Sequence, residues 1–549
     1  MTGPMESQWI PFREIPQTTN FFTSYLENFD RVASYYEHPP TEAGIDAAAR
    51  QFQFDPVVRQ GVVEVLREQN RCFGTDSATD ENLDRLSAGA VTIVTGQQVG
   101  LFSGPAYSLY KAISAIRCAE EATRRGIDAV PVFWLATEDH DLAEVNHSVW
   151  NTRNGLVRYT LPPQEGAAGR RVGEVTLGEE IEPLVTIASQ NLEGSFVGEI
   201  DRALRESYTR EETYGSAFGK LMARLLEGRG IIFIDPLDAR LHRLTMPVYR
   251  RALEEAEPLR DALLERSSQL EQAGLHAQVK VTREATLLFY NMDGQRHPLR
   301  IRNGKLSAGK ASFSREELLA LVEKTPEDFT PNALLRPIVQ DTLLPTAAYI
   351  GGPAEIAYMA QANVAYKRIL GRMPAILPRA SFTIVEPPVA NLLNKYGLDV
   401  RDMLRGGQQF RGKMEQESLP RALARRFEKD EKALSRLLRG YDGPLERLDP
   451  TLLGVLQTVE RKMQYQFGKL RGKAGRAENF RTGVLDRHER IMADSLYPHH
   501  GLQERSLCPL PLLASYGLNL LDDLARVSPA PGSLESSLCS RQHHIVIIG

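Results

Sequence analysis

The sequence predicts an α/β protein, a doubly wound parallel core that carries a C-terminal α-helical arm. Three observations predict it. Short β-branched runs bounded by Gly or Asp recur at Ala90–Thr95, Ala129–Leu135, Gly230–Asp235 and Thr346–Ile350. Helical apolar patterns separate them, the clearest over Ala106–Arg125, so the first two strands form a right-handed crossover unit with parallel strands. Past Pro388 the texture turns wholly helical: Leu423, Phe427, Leu434 and Leu437 face a second stripe, Leu456, Val459, Met463, Phe467 and Leu470. Gly440–Pro450 supplies the break, which predicts an antiparallel helical hairpin or coiled coil.

The elements follow in order. The first 90 residues read as helices between polar turns, with Pro39-Pro40 a break and Asp55-Pro56 opening a helix over Val57–Asn70. Ala277–Leu306 alternates apolar and polar residues, with turns at Asp293-Gly294 and Asn303-Gly304, and predicts an inserted meander of hairpins. Ser314-Arg-Glu-Glu317 has capping-box spacing and starts the next helix. The expected division is a core over 1–387, with insertions at about 151–228 and 265–330, then a helical arm over 388–500. A segment over 501–549 returns to the core through a linker, Ser528–Ser533, and a terminal strand, His544–Ile548.

Composition narrows the function classes. Of 549 residues, 42% are hydrophobic and 25% charged, the balance of a folded soluble protein. A net charge of −4 excludes a globally basic nucleic-acid binder. Arg421–Arg490 nevertheless holds 17 basic against 10 acidic residues, so this arm is +7 and the rest of the chain −11. No apolar run is long enough to span a bilayer, and the N-terminus does not read as a secretory signal. Four cysteines without a Cys-x-x-Cys pair give neither a disulfide framework nor a thiolate metal knuckle, so a reducing cytoplasm is expected.

Three strand-to-helix loops hold the candidate chemistry. The first is Thr95-Gly-Gln-Gln-Val-Gly-Leu-Phe-Ser-Gly-Pro-Ala-Tyr-Ser-Leu-Tyr-Lys111. Gly96, Gly100 and Gly104 allow close approach to a ligand, Pro105 suits a first helical position, and Lys111 lies nearly two turns into the helix. Thr95, Gly96, Gln97, Gln98, Gly104, Tyr107 and Lys111 are therefore candidate binding residues, although the loop is neither a standard P-loop nor a dinucleotide fingerprint. The second loop, Thr137-Glu-Asp-His-Asp-Leu-Ala-Glu-Val-Asn-His147, puts titratable residues at the carboxyl end of a strand. With a helix starting near Asp141, His140, Glu144 and His147 share a face and present a possible divalent-metal set. Substrate contact or acid–base work by Asp139 or His140 is the favoured alternative to a metal set, and plain helix capping stays open as well. The third, Ile350-Gly-Gly-Pro-Ala-Glu-Ile-Ala-Tyr-Met-Ala-Gln361, sets Glu355, Tyr358 and Gln361 on one polar stripe. Downstream, Arg379 suits either an anion or a structural carboxylate.

These segments resemble the BshC family, which adds cysteine in bacillithiol biosynthesis. The matching pieces are Thr95–Pro105, Trp134–Asp141 with Asn146-His147, Ile350–Tyr358 and Tyr497-Pro-His-His-Gly-Leu-Gln-Glu-Arg505. Tyr110 stands where the family pattern has histidine, and Ala354 where glycine is common. The resemblance implies a Rossmann-like core with connecting-peptide insertions, a coiled-coil arm and a homodimer through that arm. It implies an amide-forming ligase joining the cysteine carboxyl to the amine of glucosaminyl-malate, with ATP, and Mg beside it, as the expected activating co-substrate. No His-x-Gly-His signature is present, and Lys310-Ala-Ser-Phe-Ser314 is only distantly similar to a Lys-Met-Ser-Lys-Ser loop.

On that reading, the catalytic candidates are His140, Asp139 and His147, with a histidine taking the proton from the attacking amine. Thr95, Gly96, Gln97, Gln98, Gly104, Tyr107, Lys111, Glu138, Asp141, Asn146, Gly351, Gly352, Glu355, Tyr358 and Arg379 bind substrates, and no metal ligand is assigned. Two other functions compete. One is a metal-dependent hydrolase or deacetylase of an amino sugar, using His140, Glu144 and His147. The other is a nucleic-acid-binding accessory protein using the basic arm, disfavoured because the arm has few aromatics for base stacking.

Overall fold

The computed structural model describes residues 5–51, 54–302, 304–406, 408–417, 419–527 and 542–548. The Ser528–Ser533 linker, Cys539 and Asn303 lie outside the described residues. The centre is a five-stranded parallel sheet in the order Ala375–Pro378, Thr346–Gly351, Val91–Gln97, Ala129–Leu135 and Ile232–Ile234. Four of these strands match the sequence expectation. Their residues are almost all buried, as strands covered on both faces must be. Helix Tyr107–Arg124 connects the first pair, as the apolar pattern over Ala106–Arg125 requires.

The order of the sheet fixes where a ligand can enter. From Val91–Gln97 the chain builds outward to Ala129–Leu135 and Ile232–Ile234, then returns to add Thr346–Gly351 and Ala375–Pro378 on the other side. The strand order therefore reverses between Val91–Gln97 and Thr346–Gly351, where Thr95 lies beside Ile350. Crevices form at the carboxyl ends of strands at such a reversal.

Several strands were not expected, among them Ala375–Pro378, Glu6–Pro11, His147–Thr152 and Phe382–Val385. Ala375–Pro378 is only four residues long and ends in proline. Glu6–Pro11, within the stretch read as helical, pairs antiparallel with Gln542–Ile547, which also pairs parallel with Phe382–Val385. Four of its six residues are exposed, so it carries almost none of the apolar signal that marks a buried strand. The rest of that stretch is helical: Pro56–Phe73 is capped by Asp55, which accepts from the Val57 N–H at 2.8 Å.

The meander is a five-stranded antiparallel sheet of Ala285–Met292, Gln295–Arg302, Lys305–Ala308, Ala311–Phe313 and Phe329–Pro331. Asp293 and Gly294 both take positive φ, 54° and 72°, as a tight two-residue hairpin turn demands. Ser314 and Glu317 form the reciprocal cap, at 3.1 and 2.7 Å.

In the arm, helices Arg421–Arg439 and Leu452–Thr482 run antiparallel, with the Phe427 and Phe467 rings 5.7 Å apart. A short helix, Asp442–Leu448, occupies the break. The apolar stripes close only in part. Phe427 is buried, while Leu423, Leu437, Val459, Met463 and Leu470 stay exposed. Among the described residues, no helix is long and apolar enough to cross a membrane, and Cys72, Cys118 and Cys508 are free thiols.

Candidate active site

A cleft of about 600 Å³ opens at the reversal point of the sheet. Of the expected residues, Gly96, Gln97, Gln98, Tyr107, Lys111, Glu138, Asp139, His140, Gly352, Glu355, Tyr358 and Arg379 line it. Thr95, Gly104, Asp141, Asn146, His147 and Gly351 do not.

The glycine loop is a packed knot, not an open anion cradle. A Cβ on Gly96 would sit 2.9 Å from the Trp134 carbonyl oxygen, and one on Gly100 would sit 2.9 Å from the Gly104 Cα. The glycines thus serve chain-to-chain contact. Between them Phe102 and Ser103 take positive φ, and Phe102 packs edge-on against Trp150, Tyr159 and Tyr208. The helix start is covered as well, because the Ala106 N–H donates to the Leu507 carbonyl at 2.8 Å. Thr95 spends its hydroxyl on the Ile350 carbonyl (2.9 Å) inside the sheet.

Lys111 is likewise committed. It is 3% exposed, donates to the Gly96 carbonyl (2.7 Å) and Gln97 Oε1 (2.9 Å), and pairs with Glu355. All three ammonium hydrogens have acceptors, so Lys111 ties the first loop to helix Pro353–Ile369 and does not reach for a phosphate. Burial lowers the Lys111 pKa, and the Glu355 charge opposes that. Burial pushes Glu355 up, but Lys111, the Gly352 N–H and the Tyr349 hydroxyl outweigh it and hold the carboxyl below its ordinary range. Lys111 and Glu355 thus form a buried ion pair. Of the predicted stripe, Tyr358 accepts from Arg336 at 3.1 Å, whereas Gln361 does not line the cleft and clamps the backbone of Val279 (2.8 and 2.9 Å).

In the acidic segment the helix is a single turn, Leu142–Val145, and His147 already begins strand His147–Thr152. His140, Glu144 and His147 therefore share no helical face. His147 Nδ1 contacts the Ala143 carbonyl (3.1 Å), and Glu144 accepts from Gln98. Among the described residues no group of three or more His, Cys, Asp or Glu is placed to hold a metal ion. Asn146 bonds the Leu161 carbonyl (3.2 Å), and Asp141 is exposed before the short helix. Asp139 accepts from Gln98 (2.9 Å) and from the His140 N–H (2.7 Å). Burial raises its carboxyl, yet these donors together with Arg296 hold it below the usual range. His140, its side chain 41% exposed, receives Arg296 Nη1 at its Nδ1 (3.1 Å). A guanidinium only donates, so the imidazole proton sits on Nε2.

Several lining residues escaped the sequence reading: Trp134, Phe289, Arg296, Arg336, Tyr349 and Arg505. Arg296 lies 3.8 Å over the Phe289 ring and is fixed by Thr330 and the Pro331 carbonyl, each at 2.8 Å. Arg379 meets the structural carboxylate anticipated as one of its two options: Nη2 donates to the buried Glu504 at 2.6 Å, and the guanidinium lies 5.5 Å from the Tyr107 ring centre. Tyr107 accepts in turn from Gln97 at 3.2 Å. Next to Glu504, Arg505 is an exposed cation at the cleft with no side-chain bond among the described residues. It ends the Tyr497–Arg505 segment that carried part of the family resemblance, the one local signal that pointed to it. Arg296 and Arg336 had none.

A parallel core with a polar cleft at its reversal point, followed by a helical arm, defines a Rossmann-like protein with a coiled-coil extension. The chain belongs to the BshC family. Residues 5–380 match the model described as bacillithiol biosynthesis BshC, N-terminal Rossmann-like domain, and residues 382–531 match its C-terminal coiled-coil domain. A relative from Koribacter versatilis is 41% identical over 517 residues, covering 94% of this chain and 96% of its own. Relatives from Solibacter usitatus (36% identical; 92% and 94% covered) and Salinibacter ruber (33%; 92% and 93%) are similar over the same extent. Each of the three carries the name "Putative cysteine ligase BshC".

Proposed function

We propose that the chain is the cysteine ligase of bacillithiol biosynthesis, forming the amide between the cysteine carboxyl and the amine of glucosaminyl-malate as the last step. The names of the relatives support a ligase that uses cysteine. The observation that carries the reading is the paired chemistry of the cleft. Arg505, unpaired among the described residues, stands with Arg379 near Tyr107, while Glu138 and Asp139 supply carboxyl groups to the same cleft. An acceptor with malate carboxylates and a sugar amine needs both. In this proposal Arg505 and Arg379 take the anionic groups, Asp139 and Gln98 take hydroxyl or ammonium groups, and His140 donates from Nε2.

Amide formation in water needs an activated carboxyl, so ATP with Mg is the proposed co-substrate. The closed glycine loop offers no row of free amides for its phosphates. The arm's exposed apolar residues support a homodimer, and a small thiol product suits a cytoplasmic enzyme. The test is mass spectrometry of the chain incubated with glucosaminyl-malate, cysteine and magnesium, with and without ATP. An ATP-dependent product at the bacillithiol mass supports the reading. No product from folded protein under either condition refutes it.

A further inference from the structure

One wall of the cleft holds a pair of ionisable groups to which the substrate-binding reading gives no chemical step. Glu138 lines the cleft yet is only 6% exposed, and its side chain makes no hydrogen bond among the described residues. Its Oε1 is sealed from solvent without a partner, 3.7 Å from Nε2 of His242, which is equally sealed and equally unpartnered. His242, 2% exposed, comes from helix Ala239–Glu254, and its Nδ1 meets the Tyr249 hydroxyl at 3.3 Å. Buried polar atoms are almost always satisfied, so two facing each other require an explanation. The other carboxyl oxygen, Oε2, is not sealed.

We propose that Glu138 is the catalytic base of this cleft, accepting the proton of the substrate amine through Oε2, and that His242 is the positioning residue behind it. The proposal rests on the ligase reading. The amine nitrogen forms the C–N bond at the acyl carbon of a mixed carboxylic–phosphoric anhydride, made from cysteine and a nucleoside triphosphate. The C–O bond to phosphorus-bound oxygen breaks, the phosphate group leaves with the electron pair, and the N–H proton passes to Glu138.

Its neighbours suit Glu138 to that step better than the other groups of the cleft. Burial pushes its carboxyl up to about 7, with Asp235 adding to the rise and Arg296, Arg171 and Arg336 opposing it. A base of that strength is matched to neutral pH. Asp139 is held too acidic, and His140 already accepts from Arg296 at Nδ1. Burial drops His242 to about 4, with Arg171 adding to the fall, so it stays neutral and is not itself the base. Burial keeps the Tyr249 hydroxyl protonated. With that hydroxyl donating to Nδ1, the Nε2–H of His242 faces Oε1 and favours the carboxylate. Removing it should raise Glu138 further.

Two measurements on the full chain test this. Without substrates, carbon-13 NMR of carboxyl-labelled glutamate should show one signal titrating near neutrality. That signal should vanish in Glu138→Gln, move to higher pH in His242→Phe and move back in His242→Gln, whose amide can again donate. A Glu138 signal titrating in the ordinary carboxylate range, or one unmoved by His242→Phe, overturns the proposal. With substrates, Glu138→Gln should lose about 10²–10⁴-fold in kcat with KM little changed, and Glu138→Asp should retain more. His242→Phe should move the acidic limb of the kcat/KM profile by the shift seen in NMR. Undiminished turnover in Glu138→Gln overturns the role. If the unmodified chain makes no amide, the ligase reading has failed, and the substrate-free titration still decides whether the cleft holds a neutral-range base.

Discussion

Replacing Lys111 by methionine separates the two roles open to that residue. Methionine keeps most of the stem volume and removes the ammonium, so the substitution reports on the charge and its three bonds. Removing one partner of a buried ion pair costs about 3–5 kcal/mol, because the other charge is left uncompensated. Glu355 would keep the Gly352 N–H at 2.8 Å and the Tyr349 hydroxyl, which places the expected loss toward the lower half, about 3–4 kcal/mol at pH 7. The folded-state pKa of Glu355 lies below its unfolded value. Its contribution is therefore complete above the ordinary carboxylate range and is lost as pH falls through the folded value. In Lys111→Met the ammonium no longer lowers Glu355, while burial and the two remaining donors stay, so its pKa should rise. The gap between the two proteins should narrow as the pH falls from 7 to 4. Adding Glu355→Gln should recover part of the loss. Urea unfolding followed by tryptophan fluorescence at both pH values measures each quantity, since Trp134 lines the same cleft. A loss under about 1 kcal/mol at pH 7, or a gap that stays constant with pH, would refute the buried brace and return Lys111 to ligand binding.

Other outcomes follow from single contacts. Arg505→Ala should leave the thermal midpoint unchanged and raise the KM for the acidic acceptor about 10- to 150-fold, the worth of a charge-assisted bond of about 1.5–3 kcal/mol; an unchanged KM removes Arg505 from binding. His140→Ala should cut turnover without unfolding the chain and without moving the acidic limb of the pH profile; a shifted limb would make the histidine the base after all. Gly100→Ala forces a Cβ to 2.9 Å from the Gly104 Cα and should cost about 1–3 kcal/mol, read as a lowered unfolding midpoint. Val459→Glu with Met463→Glu should turn a dimer into a monomer by light scattering; a monomer before substitution would show that the arm's exposed face serves something else.

The strand-helix-strand unit was legible because its signal is local: β-branched runs such as Val91–Val94, then a helix with its own apolar face. Ala375–Pro378 and Glu6–Pro11 were not, since one is four residues long and the other is mostly exposed; their pairing partners, not their composition, make them strands. The same division holds at the site. Loops at the carboxyl ends of strands are recognisable from sequence, which is why Gln98, Asp139 and Glu355 were found. Arg296 and Arg336 reach the cleft from an inserted sheet and from a separate helix, and nothing beside them in sequence marks them. Two features were illegible for a shared reason. The bonds that Lys111 makes to Gly96, Gln97 and Glu355, and the end of the helix at Val145 that takes His147 off a helical face, are decided in three dimensions.

The C-terminal segment explains why the arm cannot be separated from the cleft. Gln503 Oε1 accepts from the Ile384 N–H and its amide donates back to the Ile384 carbonyl, both at 2.8 Å. Glu504 accepts from the Phe382 N–H at 2.9 Å, from Ser381 at 2.8 Å and from Arg379. Leu507 then caps the first loop's helix, and Cys508 donates to the Phe102 carbonyl at 3.2 Å. Within six residues the returning chain is fastened on both sides of Arg505, so that cation is carried by anchored backbone, not by a free tail. The boundary between the matched segments, at 380 and 382, passes between Arg379 and its partner Glu504. The Rossmann-like part alone would leave Arg379 buried without its carboxylate and the first loop without its cover. The cleft is thus built by both halves of the chain, and the arm, whatever it joins outside, is tied through Gln503 and Glu504 to strand Phe382–Val385, which follows Arg379 of the cleft.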